Sequence, residues 1–168
     1  PTETVYGLGA NALNSEAVLS IFRAKGRPLT DPLIVHVSSA SDALPLINLT
    51  ADTKEIFEGL GAKFWPGPLT IIVLASAIVP PSVTANTGSV GIRVPSHSVA
   101  RRLLEESDVP IAAPSANRFG HVSPTTCAHV LADLGPKGVH CLNGESGNEI
   151  TSSSGNTTLS CHHGIEST

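Results

Sequence analysis

Methionine is absent from the 168 residues, tryptophan and tyrosine occur once each, and aromatics make up only 4% of the chain. So few rings argue against the base-stacking platforms that hold single-stranded nucleic acid. The chain carries ten lysines and arginines against fourteen aspartates and glutamates, a net charge of −4, which excludes a generally polycationic nucleic-acid binder and leaves only a local basic face. No run of about 18 apolar residues exists and no signal-peptide pattern opens the chain, so it reads as soluble, with no membrane partner. Cys127, Cys141 and Cys161 are an odd set without a CxxC pair, which fits a reducing compartment better than a disulfide scaffold. Cys161, His162 and His163 could join Cys141 at a zinc ion, but paired ligand spacings are missing, and no protein metal site is expected. A chain without an initiator methionine, beginning on Pro1-Thr2-Glu3-Thr4, is expected to be an excerpt of something longer.

What is present is globular. Hydrophobic residues make up 40% and charged ones 14%, and a chain of this length buries about 70% of its unfolded surface. Three of the ten basic groups, Arg23, Lys25 and Arg27, fall within five residues. Arg23 and Lys25 complete a helix predicted from Asn14, with Val18, Ile21 and Phe22 at helical spacing, Glu16 in its first turn and Gly26 beyond its end. Cations there complement the helix dipole, which accounts for Lys25. Arg27 lies past the helix, before Pro28 and Pro32, and leads into a strand over Leu33 to Val37 that carries His36. The fork is therefore either a helix terminus or a phosphate or carboxylate site. His36 is either a core histidine or a ligand contact.

Further along, two short helices are expected from Ser41 and Asp52, the second burying Ile56, Phe57 and Leu60. Trp65-Pro66-Gly67-Pro68 reads as a rigid turn feeding a strand over Leu69 to Leu74. Arg93 sits among Val90, Ile92 and Val94 in a strand, and a buried arginine needs a partner, either an unseen carboxylate of the chain or a ligand. A helix from Ser98 and a strand from Val109 follow, the strand running into Ala113-Pro114-Ser115-Ala116-Asn117. Strand ends facing a crevice are where open α/β sheets place ligands. Ser123-Pro124 predicts a helix start with Ser123 as cap, where free N–H groups can receive a phosphate. A strand near Val139 to Leu142 precedes a Gly/Ser/Thr/Asn-rich loop over 143–160, expected to be flexible.

Six segments in register resemble the YrdC-like threonylcarbamoyl-AMP synthase family: Pro1-Thr2-Glu3-Thr4-Val5-Tyr6-Gly7-Leu8-Gly9, Lys25-Gly26-Arg27-Pro28 with Pro32-Leu33-Ile34-Val35-His36, Trp65-Pro66-Gly67-Pro68-Leu69-Thr70, Gly91-Ile92-Arg93-Val94-Pro95, Pro114-Ser115-Ala116-Asn117 and Gly164-Ile165-Glu166-Ser167-Thr168. The resemblance implies an α/β (α+β) fold over 1–168, a twisted open mixed β-sheet flanked by helices with a concave, locally basic face. The family begins before Pro-Thr-Glu-Thr and continues past Glu-Ser-Thr, so the resemblance makes this chain a fragment lacking both family ends.

The same resemblance implies a reaction in which L-threonine, bicarbonate and ATP, with Mg²⁺, yield threonylcarbamoyl-adenylate and pyrophosphate for a tRNA adenosine modification. By it, Lys25 and Arg27 are the catalytic cations and contact ATP together with Asp31, Ser89, Ser115, Asn117 and Ser123. Thr4, His36, Arg93, Ala113 and Ser167 form the threonine pocket. Many relatives carry Asn at the position of Asp31, so this acidic side chain is a departure. The implied partners are tRNA or double-stranded RNA and the downstream tRNA threonylcarbamoyl transferase machinery, and the implied location is the cytoplasm, with room for a mitochondrial pool. A competing reading is a noncatalytic RNA-binding module of the same fold. A serine hydrolase on Ser115 is excluded, because the Gly-x-Ser-x-Gly elbow is missing.

Overall fold

The computed structural model describes residues 1–144. Ser167, the Cys161-His162-His163 set and residues 145–160 of the loop expected over 143–160 lie outside the described residues.

Helix α1 (Ser15–Lys25) forms where its caps and stripe demand it. The Asn14 side chain accepts from the Glu16 and Ala17 backbone N–H groups, and Gly26 closes the other end at φ 63, a left-handed conformation that glycine adopts without a Cβ penalty. Ala17, Val18, Ile21 and Phe22 are buried along one face. Each of the larger three contributes about 1.5–3 kcal/mol by leaving water. Strand β2 (Ile34–His36) follows, with Leu33, Val35 and Val37 in the core and Ile34 on the other face, as the alternation predicts.

The remaining elements are α2 (Ala40–Ala43), β3 (Ile47–Asn48), α3 (Ala51–Phe64), β4 (Ile71–Ala75), α4 (Pro81–Thr84), β5 (Ser89–Arg93), α5 (Ser98–Ser107), β6 (Ile111–Ala112) and α6 (Cys127–Leu134), with β1 (Ala10–Asn11) ahead of α1. The sheet order is β1-β6-β2-β5-β4-β3. Among the described residues only β2 and β5 run parallel, and the other pairs are antiparallel, so the expected mixed sheet is present. The β2–β5 register sets Ile34 beside Gly91 and His36 beside Arg93. One face of the sheet packs Val35, Ile71, Val90 and Ile92 into the core, while Ile72 and Leu74 of β4 are open on the other.

Three expectations are corrected. In α3, Phe57 is buried and Leu60 packs against the core, but Ile56 is 62% exposed. Adjacent helical positions point about 100° apart, and Phe57 shares its inward face with Gly61 one turn on, which turns Ile56 outward. Ser123 does not cap α6. The helix starts three residues later, where the Thr126 hydroxyl accepts from the His129 N–H, because the Pro124 carbonyl is held instead by the N–H of Tyr6. Val139 to Leu142 forms no strand among the described residues. Val139 and Cys141 are anchored by packing on the core.

The turn at Trp65 holds as expected. The indole stacks edge-on to Phe57 at 5.5 Å and donates to the Leu69 carbonyl at 2.7 Å. No helix among the described residues is long and apolar enough to cross a membrane.

Candidate functional site

The cationic fork divides into two arrangements. Lys25 is only 3% exposed, and its ammonium donates to the Ser115 carbonyl at 2.5 Å and to the Asn117 carbonyl. In return the Lys25 carbonyl accepts from the Phe119 N–H at 2.8 Å. The end of α1 and the 115–119 loop therefore grip each other. An ammonium has three donors, so two carbonyls leave one N–H for an anion. Burial lowers the Lys25 pKa to about 8, with Arg27 acting in the same direction and Asp133 and Asp31 opposing. Lys25 is thus charged at neutral pH yet poorly solvated, which favours an incoming phosphate.

Arg27 lies over the approach to β2. Its guanidinium is 2.8 Å from the Asp31 carboxylate and also donates to the Asp31 and Pro32 carbonyls. Asp31 is therefore a counter-charge to Arg27. Asn117, 5% exposed, donates from its amide to the carbonyls of Arg118 and His121, and its Oδ1 is buried with no hydrogen-bond partner among the described residues. Ser89 opens β5 opposite Leu74, at the end of the sheet where β2 begins. Ser123 is exposed on the extended stretch before Pro124. The fold brings Lys25, Ser115 and Asn117 into direct contact and sets Arg27 beside Lys25, whereas no hydrogen bond joins Ser89 or Ser123 to them among the described residues.

At the other end of β2 and β5, His36 and Arg93 are neighbours in register and both buried. Arg93 pairs with Glu3 at 3.0 Å, donates to Thr4 Oγ1 at 3.4 Å from both terminal nitrogens, and reaches the Gly67 carbonyl from Nε at 3.3 Å. The unseen carboxylate is therefore Glu3, a residue within the first recognised segment to which sequence reasoning gave no role. Burial would raise the Glu3 pKa, but hydrogen bonds from its own backbone, Arg93 and Ser96 outweigh burial and hold it below the usual range. Burial, reinforced by Arg93, pushes His36 down to about 4, so its ring is neutral at physiological pH. Its Nδ1 is buried without a hydrogen-bond partner among the described residues.

A cavity of about 40 Å³ opens here, lined by His36 and Ala113 together with Gly7, Ile111 and Leu104. Ala113 donates its N–H to the Ile34 carbonyl, and two residues on Ser115 bridges to Gly7. Residues 113–117 thus touch both halves of the site, lining the cavity at one end and gripping Lys25 at the other. Among the described residues no group of three or more His, Cys, Asp or Glu could hold a metal ion.

These features define an α/β protein with a cationic corner at the end of its first helix and, one strand away, a buried Arg–His pair beside a small cavity. The chain belongs to the Sua5/YciO/YrdC family: the Sua5_yciO_yrdC family model, described as Telomere recombination, matches residues 1–157. It is 48% identical over 142 residues to a threonylcarbamoyl-AMP synthase of Pyrococcus abyssi, covering 84% of this chain and 41% of that protein. A relative of the same name from Aliivibrio fischeri is 35% identical over 148 residues, covering 88% of this chain and 80% of that one. The crystal structure of P. abyssi Sua5 complexed with L-threonine matches with a TM-score of 0.74 at 48% identity, over 79% of this chain and 38% of that one. The chain thus spans about two fifths of the longer relatives it matches.

Proposed function

We propose that the protein carrying this chain is a threonylcarbamoyl-AMP synthase. Threonine nitrogen and bicarbonate combine with loss of water to a carbamate, a carbamate oxygen attacks the α-phosphorus of ATP, and pyrophosphate leaves. The observation that carries this reading is the join at residues 113–117, which sets the small cavity lined by His36 and Ala113 beside a cationic corner. Similarity to a protein crystallised with L-threonine supports placing the amino acid in that pocket.

In this scheme Arg93 and Thr4 receive the threonine carboxylate and His36 Nδ1 accepts a hydrogen bond from the amino acid, with Ala113 and Ser167 completing the pocket. Arg27 and the free N–H of Lys25 offset triphosphate charge, with Ser115, Asn117, Ser89 and Ser123 as further nucleotide contacts. No protein nucleophile is needed: rate comes from holding carbamate and α-phosphorus in line and from preorganised positive charge. Mg²⁺ enters as the Mg–ATP substrate, since Asp31, the carboxylate paired with Arg27 beside the corner, is already committed to that guanidinium. The product serves tRNA adenosine modification through a downstream transferase, in the cytoplasm.

The test is pyrophosphate release by the full-length protein supplied with Mg–ATP, threonine and bicarbonate. Release that requires all three supports the synthase. Release that ignores threonine, or none at all, rejects it.

A further inference from the structure

The turn that grips Lys25 is itself held from behind. Asp133, on α6, accepts the Arg118 N–H at 3.0 Å through Oδ2, and both its oxygens reach the His121 ring, at 2.9 and 3.1 Å. Asn117 then spans the turn from within, donating to the Arg118 and His121 carbonyls at 2.8 and 2.7 Å. Its own carbonyl receives the Lys25 ammonium. A continuous chain of hydrogen bonds therefore runs from the α6 carboxylate through the 117–121 turn to the ammonium.

We propose that Asp133 is a positioning residue for the nucleotide corner: by clamping Arg118 and His121 it fixes the carbonyls that aim Lys25. This rests on the reading of Lys25 as an ATP contact. Asp133 touches no substrate in this arrangement. It acts through the backbone, which is how a helix carboxylate can hold a loop in one of several otherwise accessible conformations. The pairing also gives His121 a role unconnected with metal binding or proton transfer. Asp133 is held below the ordinary carboxylate range by the Arg118 N–H first and the His121 ring second, so the clamp keeps its charge at neutral pH.

The experiment labels the folded full-length protein with an amine-specific acetylating reagent and follows Lys25 by mass spectrometry, with exposed Lys54 and Lys63 as internal references. The proteins compared are wild type, Asp133→Ala, Asp133→Asn and His121→Ala. Losing a hydrogen bond from the clamp loosens Lys25, so Asp133→Ala is expected to speed its acetylation about fivefold relative to the reference lysines. Asp133→Asn keeps one acceptor and falls between. In the same preparations the ATP KM rises about tenfold for Asp133→Ala while the threonine KM stays within about twofold.

Unchanged Lys25 labelling in Asp133→Ala overturns the proposal, as does faster labelling with an unchanged ATP KM. A general loss of structure would speed Lys25 but raise both KM values together, which also overturns it. A wild-type protein that binds no ATP rejects the function proposed above, and the labelling comparison still decides whether Asp133 holds Lys25.

Discussion

Oε1 of Glu3 lies 3.0 Å from Nη2 of Arg93, so the most buried guanidinium of the site is neutralised by a carboxylate of its own chain. The pair is 17% and 9% exposed at its side chains. Removing one member strands a largely desolvated charge. Glu3→Ala is therefore expected to destabilise the fold by about 3 kcal/mol, the lower end for broken buried pairs. Urea denaturation of the variant measures this, and a loss below about 1 kcal/mol would show that the pair is better solvated than its geometry suggests. Arg93→Ala is expected to raise the threonine KM far more than the ATP KM, and Arg27→Ala the reverse.

Asp31 holds Arg27 at 2.8 Å, and in the proposed scheme an ATP phosphate competes with it. Asp31→Asn keeps the shape and removes the competing charge. The expected result is ATP binding tightened about three- to tenfold, as one charge-assisted contact predicts. Titration calorimetry with Mg–ATP checks it. Weaker binding in Asp31→Asn would mean that the carboxylate orients Arg27 more than it competes.

His36 titrates near 4 in the folded protein, below the roughly 6.5 of an unfolded histidine. Between those values the unfolded chain binds more protons, so stability is greatest above about 6.5 and falls as the pH drops toward 4. His36→Asn removes this dependence, and its stability curve over that window is expected to be flatter than wild type. Lys25 behaves in parallel at high pH. Its pKa of about 8 lies below the unfolded value of roughly 10.4, so stability rises between those limits while ATP affinity falls as the ammonium loses its proton. Calorimetry at pH 7 and pH 9 separates the two effects.

Gly67 links the Trp65 turn to Arg93, because its carbonyl accepts from Arg93 and its N–H donates to the Val94 carbonyl at 2.8 Å. A Cβ there would sit 2.4 Å from the Phe64 carbonyl oxygen. Backbone must shift to admit it. Gly67→Ala is expected to cost about 1–3 kcal/mol and to raise the threonine KM together with the stability loss, as thermal melts and kinetics on one preparation would show.

Local chemistry made much of the fold legible. The Asn14 cap, the stripe through Ile21 and Phe22, Gly26 and the alternation around Val35 each act within a few residues, and each is where the pattern places it. Ser123 misled because Ser-Pro is a good helix start in isolation, yet a tertiary hydrogen bond from Tyr6 claims the Pro124 carbonyl. The site divides the same way. Lys25, Arg27, His36 and Arg93 announce themselves as charged or polar groups in apolar settings. Their partners do not: the carbonyls that hold Lys25 are 90 and 92 residues away, and Glu3 is far along the chain from Arg93. Asp133 and His121 carry no signal in an ordinary helix and turn, and only the packing of α6 brings them behind Lys25.

The central claim is that this site joins threonine, bicarbonate and ATP. The most direct measurement supplies ¹³C-bicarbonate with threonine and Mg–ATP to the full-length protein and examines the adenylate product by mass spectrometry. The account predicts a threonylcarbamoyl-adenylate heavier by one mass unit, formed together with pyrophosphate and sharply reduced in Arg93→Ala at threonine levels that suffice for wild type. An adenylate without the label, or ATP consumed with no threonine-containing product, would contradict it.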